Sequence, residues 1–185
     1  MLEERSITKS EIESIIKGKD DFVKIDYLNR FLEKADNIEV KKFIFLNLAA
    51  VSENRGLMKE AAKQISAAAD ISITYREKME FYMKEAEFLI KLGDFVSSDK
   101  VFKRAYFYGN SHEREQMKAQ YFELYKMIGK IEEDKGKLRR AIKVYEKLIT
   151  LIQDGEKKDI MNLIIGLYEK TGEIEKANDL RKRLS

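Results

Sequence analysis

The absence of proline is the feature that most constrains the fold of this chain. None of its 185 residues is proline, the residue that the interior of an α-helix tolerates least. Apolar residues recur at steps of three and four through most of the sequence, as at Ala86, Leu89 and Ile90, and this is the period of one helix face. No stretch shows the sustained alternation and turn dipeptides of β-hairpins. The pattern predicts an all-α protein.

Polar capping residues and glycines mark the ends of the predicted helices. Thr8, Thr74 and Asn110 each precede a glutamate by three residues, which is the spacing of a capping box at a helix start. The boundaries predict ten helices, over residues 8–17, 20–35, 38–54, 57–71, 74–92, 94–108, 111–135, 137–153, 156–171 and 173–184. The connections are so short that neighbouring helices are expected to form antiparallel pairs, about five in all.

The first helix of a pair is predicted to end at a glycine, and these glycines are Gly56, Gly93, Gly136 and Gly172. A similar pattern of aromatic and small residues, called the repeat frame, recurs around them. Around Gly93 the frame consists of Tyr82, Ala86, Gly93, Ser98 and Phe102. Around Gly136 it consists of Tyr125, Gly129, Gly136, Ala141 and Tyr145. Small residues allow two helices to cross closely, and the second aromatic is expected to fill the gap to the next pair.

These segments resemble tetratricopeptide repeats, which place an aromatic and a small residue before a turn glycine and a small and an aromatic residue after it. The resemblance implies a right-handed α-solenoid over residues 38–184, with residues 1–37 as a degenerate N-terminal cap pair and residues 1–185 as a single domain. The repeat spacing exceeds 34 residues and no proline separates the repeats, so the helices are expected to be longer than is usual for the family. Lengthened pairs of this kind are also similar, more weakly, to adaptors of the SNAP type.

The resemblance also implies a function. Successive first helices of such a stack line a concave groove that receives a peptide or a partner helix, so the chain is interpreted as a protein-binding module or adaptor. By the same resemblance, residues one turn apart on the first helices would line this groove: Phe43, Leu46, Glu80, Met83, Glu87, Ile90, Glu123, Lys126, Lys130 and Asn162.

Two alternative functions remain open. Residues 100–150 contain thirteen Lys and Arg against seven Asp and Glu, and the consecutive aromatics Tyr106, Phe107 and Tyr108 cannot all face one core. At least one of them should be exposed near this basic stretch, which would suit nucleic-acid binding. The other alternative is a structural scaffold in which one copy meets another through exposed apolar side chains, namely Phe43, Leu46, Leu180 and Leu184.

Composition excludes several classes of protein. The chain has no cysteine, which rules out disulfides and thiolate metal sites and favours the cytoplasm. The net charge is only +3, too small to indicate a nucleic-acid or membrane partner by itself. No segment approaches the eighteen or so apolar residues of a membrane span, and the N-terminus lacks a signal-like apolar run, so no membrane partner is expected.

The residues of catalytic sites are largely missing. His112 is the only histidine and lies among polar residues, without a second imidazole for a metal or a nucleophile to activate. Carboxylates such as Glu132 and Glu133 alternate with lysines and are better explained by ion pairs along a helix than by paired acid and base. No glycine-rich phosphate-binding motif occurs. We therefore expect no enzymatic activity, cofactor or metal.

Overall fold

A computed structural model describes residues 7–184 of the chain, and within that range it contains ten helices and no strand. The helices are α1 (Lys9–Ile16), α2 (Asp21–Lys34), α3 (Ile38–Asn54), α4 (Met58–Ile71), α5 (Tyr75–Leu92), α6 (Phe95–Tyr108), α7 (Ser111–Asp134), α8 (Leu138–Ile149), α9 (Asp154–Lys170) and α10 (Ile174–Leu184). Consecutive helices pack in neighbouring pairs. The prediction of an all-α protein is confirmed. Among the described residues, no helix has both the length and the apolarity needed to cross a lipid bilayer.

The helix starts follow the capping side chains. At α1 the Thr8 hydroxyl accepts the Glu11 N–H (3.3 Å), while the Glu11 carboxylate accepts the Thr8 N–H (2.9 Å). At α5 the Thr74 hydroxyl accepts the Glu77 N–H (3.2 Å). Each bond satisfies an amide at the first turn that has no partner within the helix. The predicted starts near Thr8 and Thr74 are therefore confirmed.

The turn inside a helix pair depends on glycine in the left-handed region. Gly136 has φ +71°, a conformation that costs a residue with a Cβ roughly 1–2 kcal/mol. Its N–H donates to the Glu133 carbonyl (2.8 Å), and the Lys137 N–H donates to the Glu132 carbonyl (2.9 Å), which closes the helix as a Schellman motif. The same two bonds recur at Gly56 and Gly172. Positive φ angles occur at Gly18, Gly56, Gly93, Gly136 and Gly172.

The end of α8 differs from the prediction. The helix ends at Ile149 rather than at residue 153, and α9 begins at Asp154 rather than at residue 156. The Thr150 hydroxyl donates to the Lys147 carbonyl (2.7 Å), and the Leu151 N–H donates to the Leu148 carbonyl (2.8 Å). Both hydrogen bonds span three residues rather than the four of an α-helix, and they mark the end of α8. Ile152 is then buried within the connection. Burial of this side chain stabilises a turn that the apolar period alone does not reveal.

The chain divides into two compact units. Unit 1 comprises residues 1–92 and 96–110, and unit 2 comprises residues 93–95 and 111–185. The first helices of unit 1 meet at their starts. The Lys9 ammonium of α1 lies 3.3 Å from the Glu39 carboxylate of α3, and Lys42 of α3 pairs with Glu77 of α5. The single domain expected over residues 1–185 stays a prediction.

Helices α5 and α6 of unit 1 form an antiparallel pair, since residues at similar distances from Gly93 meet. The Ser98 hydroxyl donates to the Ala86 carbonyl (3.2 Å), and both residues are fully buried. Farther from the turn, the rings of Tyr82 and Tyr108 stack with centroids 6.1 Å apart. The expectation that Ala86 and Ser98 lie where these helices cross is confirmed. At the other end of unit 1, α1, α2 and α3 share an apolar cluster consisting of Ile12, Ile16, Leu28, Ala35, Val40, Ile44 and Leu48.

In unit 2, helices α7 and α8 cross at Gly129. The ring of Tyr145 occupies the space beside this glycine, and Tyr145 is only 3% exposed. The repeat pattern predicted that Tyr145 fills the gap to the next pair. Its ring contacts the first helix of its own pair, because Gly129 leaves room there for an aromatic side chain. Whether it also reaches the next pair stays a prediction.

Replacing Gly129 with alanine is expected to destabilise unit 2. An added Cβ would lie 2.4 Å from Cε1 of Tyr145, a ring that is buried and has little freedom to move. Overpacking of this kind costs roughly 1–3 kcal/mol. The change in the free energy of unfolding can be measured by urea denaturation followed by circular dichroism.

The matched control is Gly166→Ala in α9, where an added Cβ meets nothing within 4 Å. Alanine should stabilise that helix by roughly 0.5–1 kcal/mol relative to glycine. Changes of opposite sign in the free energy of unfolding would support the close crossing at Gly129, whereas equal changes in the two variants would contradict it.

Candidate partner-binding surfaces

A network of ion pairs joins α3 and α5 of unit 1, and we call it the α3–α5 seam. Near the helix starts, Lys42 pairs with both Glu39 and Glu77. Near the helix ends, the Lys91 ammonium lies 2.6 Å from the Glu53 carboxylate and 2.6 Å from that of Glu87. Contacts at both ends mean that the two helices are parallel neighbours along most of their length.

The charges of the seam stabilise one another. Burial alone would raise the pKa of the Glu87 carboxyl, but hydrogen bonds from Lys91 and Lys84 outweigh it, so the pKa of Glu87 is lowered. Hydrogen bonds to Glu39 and Glu77 raise the pKa of the Lys42 ammonium, although burial opposes them. Lys42 is 5% exposed. Its burial is tolerated because two carboxylates accept its hydrogen bonds.

Most of the groove residues predicted for unit 1 reach solvent. Leu46 and Glu80 are exposed, while Phe43, Met83 and Glu87 are partly exposed. Ile90 is the exception, because it is only 1% exposed and belongs to the core of the unit. It precedes Lys91 by one residue, and its side chain therefore lies outside the face of α5 that carries Glu87 and Lys91. Its assignment to an accessible surface is wrong.

In unit 2, two of the predicted residues border a cleft of about 250 Å³ between α7 and the start of α9. The lining residues are Glu115, Lys118, Ala119, Phe122, Glu123, Lys126, Gln153 and Glu156. The Lys126 ammonium donates to the Glu123 carboxylate (2.7 Å), which raises the pKa of Lys126 against the effect of partial burial. The cleft therefore has an aromatic residue, Phe122, beside paired charges.

The remaining predicted residues of unit 2 are exposed outside this cleft. Lys130 forms an ion pair with Asp134 one turn away (2.8 Å), and Asn162 is exposed on α9. At the last pair, Leu180 is buried and Leu184 is partly exposed. Leu180 is thus unavailable for the contact between copies that the sequence suggested.

The expectation that one of the three consecutive aromatics is exposed is confirmed at the end of α6. Phe107 is 75% exposed, whereas Tyr106 and Tyr108 are partly exposed. The Tyr108 ring contacts both the Tyr75 ring (centroids 5.3 Å apart) and the Phe107 ring (5.6 Å). An exposed aromatic surface therefore exists in unit 1, apart from the α3–α5 seam.

A buried carboxyl group lies on α5. Glu85 is 9% exposed, and its Oε2 has no hydrogen-bond partner among the described residues. Burial raises the pKa of this carboxyl, and the hydrogen bond with Ser66 and the nearby Arg104 compensate only in part. Ionisation of Glu85 therefore destabilises the folded state.

Other polar clusters are sparse. Over residues 7–184, no group of three or more His, Asp and Glu side chains is arranged to hold a metal ion. His112 is exposed at the start of α7, and its Nε2 lies 2.9 Å from the amide nitrogen of Gln116.

Most residues that fix the seam were not predicted as surface residues, among them Glu53, Lys84 and Lys91. Part of their signal was present, because Lys84, Glu87 and Lys91 are spaced by three and four residues and must share a helix face. The partner Glu53 could not be recognised, since it comes from another helix. The contact between Tyr75 and Tyr108 was missed for the same reason, since these residues lie on separate helices.

No protein-family model matches the sequence, and no curated protein is significantly similar to it.

The Glu85→Gln exchange is expected to stabilise the protein near neutral pH by about 1 kcal/mol, because a neutral amide avoids the cost of burying an incompletely bonded carboxylate. The raised pKa means that the folded state holds this proton more tightly than the unfolded chain does. The stability of the wild type therefore falls as pH rises through the interval between the two pKa values. The gain from Gln should disappear below pH 4.5, the ordinary pKa of a glutamate carboxyl.

Thermal and urea unfolding of both proteins across that pH range would measure this difference. Glu80→Gln, on the exposed side of the same helix, controls for the loss of one negative charge. A destabilised Glu85→Gln variant at neutral pH would show that the buried carboxylate is favourably paired instead.

Proposed function

We propose that this chain is a protein-binding module of the tetratricopeptide-like kind, a right-handed α-solenoid that holds a peptide or a partner helix against the first helices of its pairs. The observation that carries the proposal is the parallel contact of α3 and α5. Such contact joins two exposed helix faces into one surface, the kind that helical-repeat proteins use for recognition. The proposed role is that of an adaptor or scaffold, and the lack of cysteine is the reason for placing it in the cytoplasm.

Leu46 supplies an apolar contact in the middle of this surface. It follows Glu39 by seven residues and precedes Glu53 by seven, so the three side chains lie on one row of α3. Both ends of that row border α5. Glu39 pairs with Lys42, which also pairs with Glu77 of α5, and Glu53 pairs with Lys91 of α5. An apolar side chain with a charged rim is the usual anatomy of a protein interface.

Helix α5 contributes Met83 to the same surface, one turn before Glu87 of the seam. Methionine is flexible and adapts to different partner side chains. In unit 2, the cleft at Phe122 provides an aromatic contact of similar character beside Lys126 and Glu123. An amphipathic helix, or an extended peptide with spaced apolar residues, has the chemistry to fit either surface.

The test is a quantitative pull-down from lysate of the source organism with the tagged full-length chain. The variants Leu46→Asp/Met83→Asp in unit 1 and Lys126→Glu/Lys130→Glu in unit 2 should each deplete specific partners by about tenfold or more, as expected for the loss of central interface contacts. Circular dichroism would verify that the helices are retained.

Matched controls replace exposed residues of second helices, Lys63→Glu in α4 and Lys143→Glu in α8. These exchanges should leave the partners unchanged. If the first-helix variants captured the same partners as the wild type, or if only the second-helix controls lost them, the proposed surface would be incorrect.

A further inference from the structure

Two exposed aromatic rings lie close together in unit 1, outside the α3–α5 seam. Phe107 is 75% exposed and Tyr75 is 66% exposed. Both rings contact the ring of Tyr108, whose centroid is 5.6 Å from that of Phe107 and 5.3 Å from that of Tyr75. The exposed rings are therefore at most about 11 Å apart, which is close to three steps along a stacked strand at about 3.4 Å per step.

Lysines surround these rings. The Lys78 ammonium lies 5.5 Å from the centroid of Tyr108. Lys100 and Lys103 are exposed on α6 and precede Phe107 by seven and four residues, so the three side chains share one face of the helix. Among residues 7–184, no carboxylate pairs with Lys78, Lys100 or Lys103.

The lysines beside the aromatic rings differ from those of the α3–α5 seam, which are paired. Lys42, Lys84 and Lys91 of the seam each contact at least two carboxylates. Helix α6 contains three cationic residues, Lys100, Lys103 and Arg104, against Asp99 alone. Positive charge beside the aromatic rings is therefore available to an anionic ligand.

We propose that this aromatic–lysine surface, formed by Tyr75, Lys78, Lys100, Lys103, Phe107 and Tyr108, binds single-stranded nucleic acid. Bases stack on the exposed rings of Phe107 and Tyr75, while the lysines on α6 contact the phosphates. This combination of stacking rings and cations is how proteins bind single strands without reading their sequence. RNA and single-stranded DNA both have stackable bases and phosphates, so either can bind this surface.

A proline-rich peptide is the competing occupant of an aromatic surface, and the geometry disfavours it. Peptides of that kind dock in aromatic-lined grooves, whereas Phe107 and Tyr75 project with most of their surface in solvent. Such a peptide also carries no charge to match the lysines. A polyanion with stackable bases satisfies both features.

The test is fluorescence anisotropy with labelled oligo(U) and oligo(dT) of about twelve nucleotides, a length within the range of known single-strand sites. Binding is expected at about 50 mM salt and should weaken markedly at about 200 mM, because phosphate contacts release counterions. Binding of one oligonucleotide alone would assign the surface to RNA or to DNA. A labelled oligoproline peptide forms the third arm.

Variants locate the site. Phe107→Ala should weaken binding about five- to tenfold, at the lower end of the loss of one base–aromatic stack. Lys103→Ala should weaken binding to both oligonucleotides and reduce the salt dependence by about one phosphate contact. Phe22→Ala and Lys34→Ala are the controls, since both residues are exposed in α2 of the same unit, and they should bind as the wild type does.

A second readout does not depend on loss of affinity. The chain has no tryptophan, so Phe107→Trp preserves a stacking ring and introduces a unique fluorophore. Its emission should be quenched by the oligonucleotides, whereas that of Phe22→Trp should not. Absence of binding to both oligonucleotides at low salt, equal losses in the Phe22→Ala control, or oligoproline binding that depends on Phe107 would each overturn the proposal.

Discussion

Reversal of the chain after each first helix is the constraint on which the helix pairs depend. A helix must end with its last carbonyls satisfied, and the chain must then turn within a few residues to bring the next apolar face onto the one just completed. At Gly136 a positive φ achieves both, since two amides bond back to the helix as it turns. Close crossings such as that of Gly129 and Tyr145 lie in a helix pair that this turn brings together.

The fold was largely predictable because its determinants are local. A cap at Thr8, a turn at Gly136 and an apolar row on one helix face each concern residues only a few positions apart in sequence. The end of α8 was not predictable by this logic. Its boundary depends on the burial of Ile152, and the apolar period along α8 does not contain that information.

The candidate surfaces were less predictable, since they combine residues from separate helices. Leu46 and Glu80 were correctly expected to be exposed, but the resemblance to a repeat frame placed the buried Ile90 among them. A rotation of one position around a helix is enough to move a side chain from solvent to core. The position of Tyr75 beside Tyr108 joins residues 33 positions apart, and no local pattern contains that information.

The α3–α5 seam has a mechanical consequence. Near their C-terminal ends, α3 and α5 are joined at a partly exposed edge by the long side chain of Lys91, and Coulomb attraction varies gradually with distance whereas interlocked apolar packing does not. Small sliding or splaying of one helix past the other therefore meets a soft restoring force at this edge, and screening by salt softens it further. Unit 1 combines a close-packed interior with an elastic rim, and a partner that bridges α3 and α5 could adjust their spacing without disrupting the core.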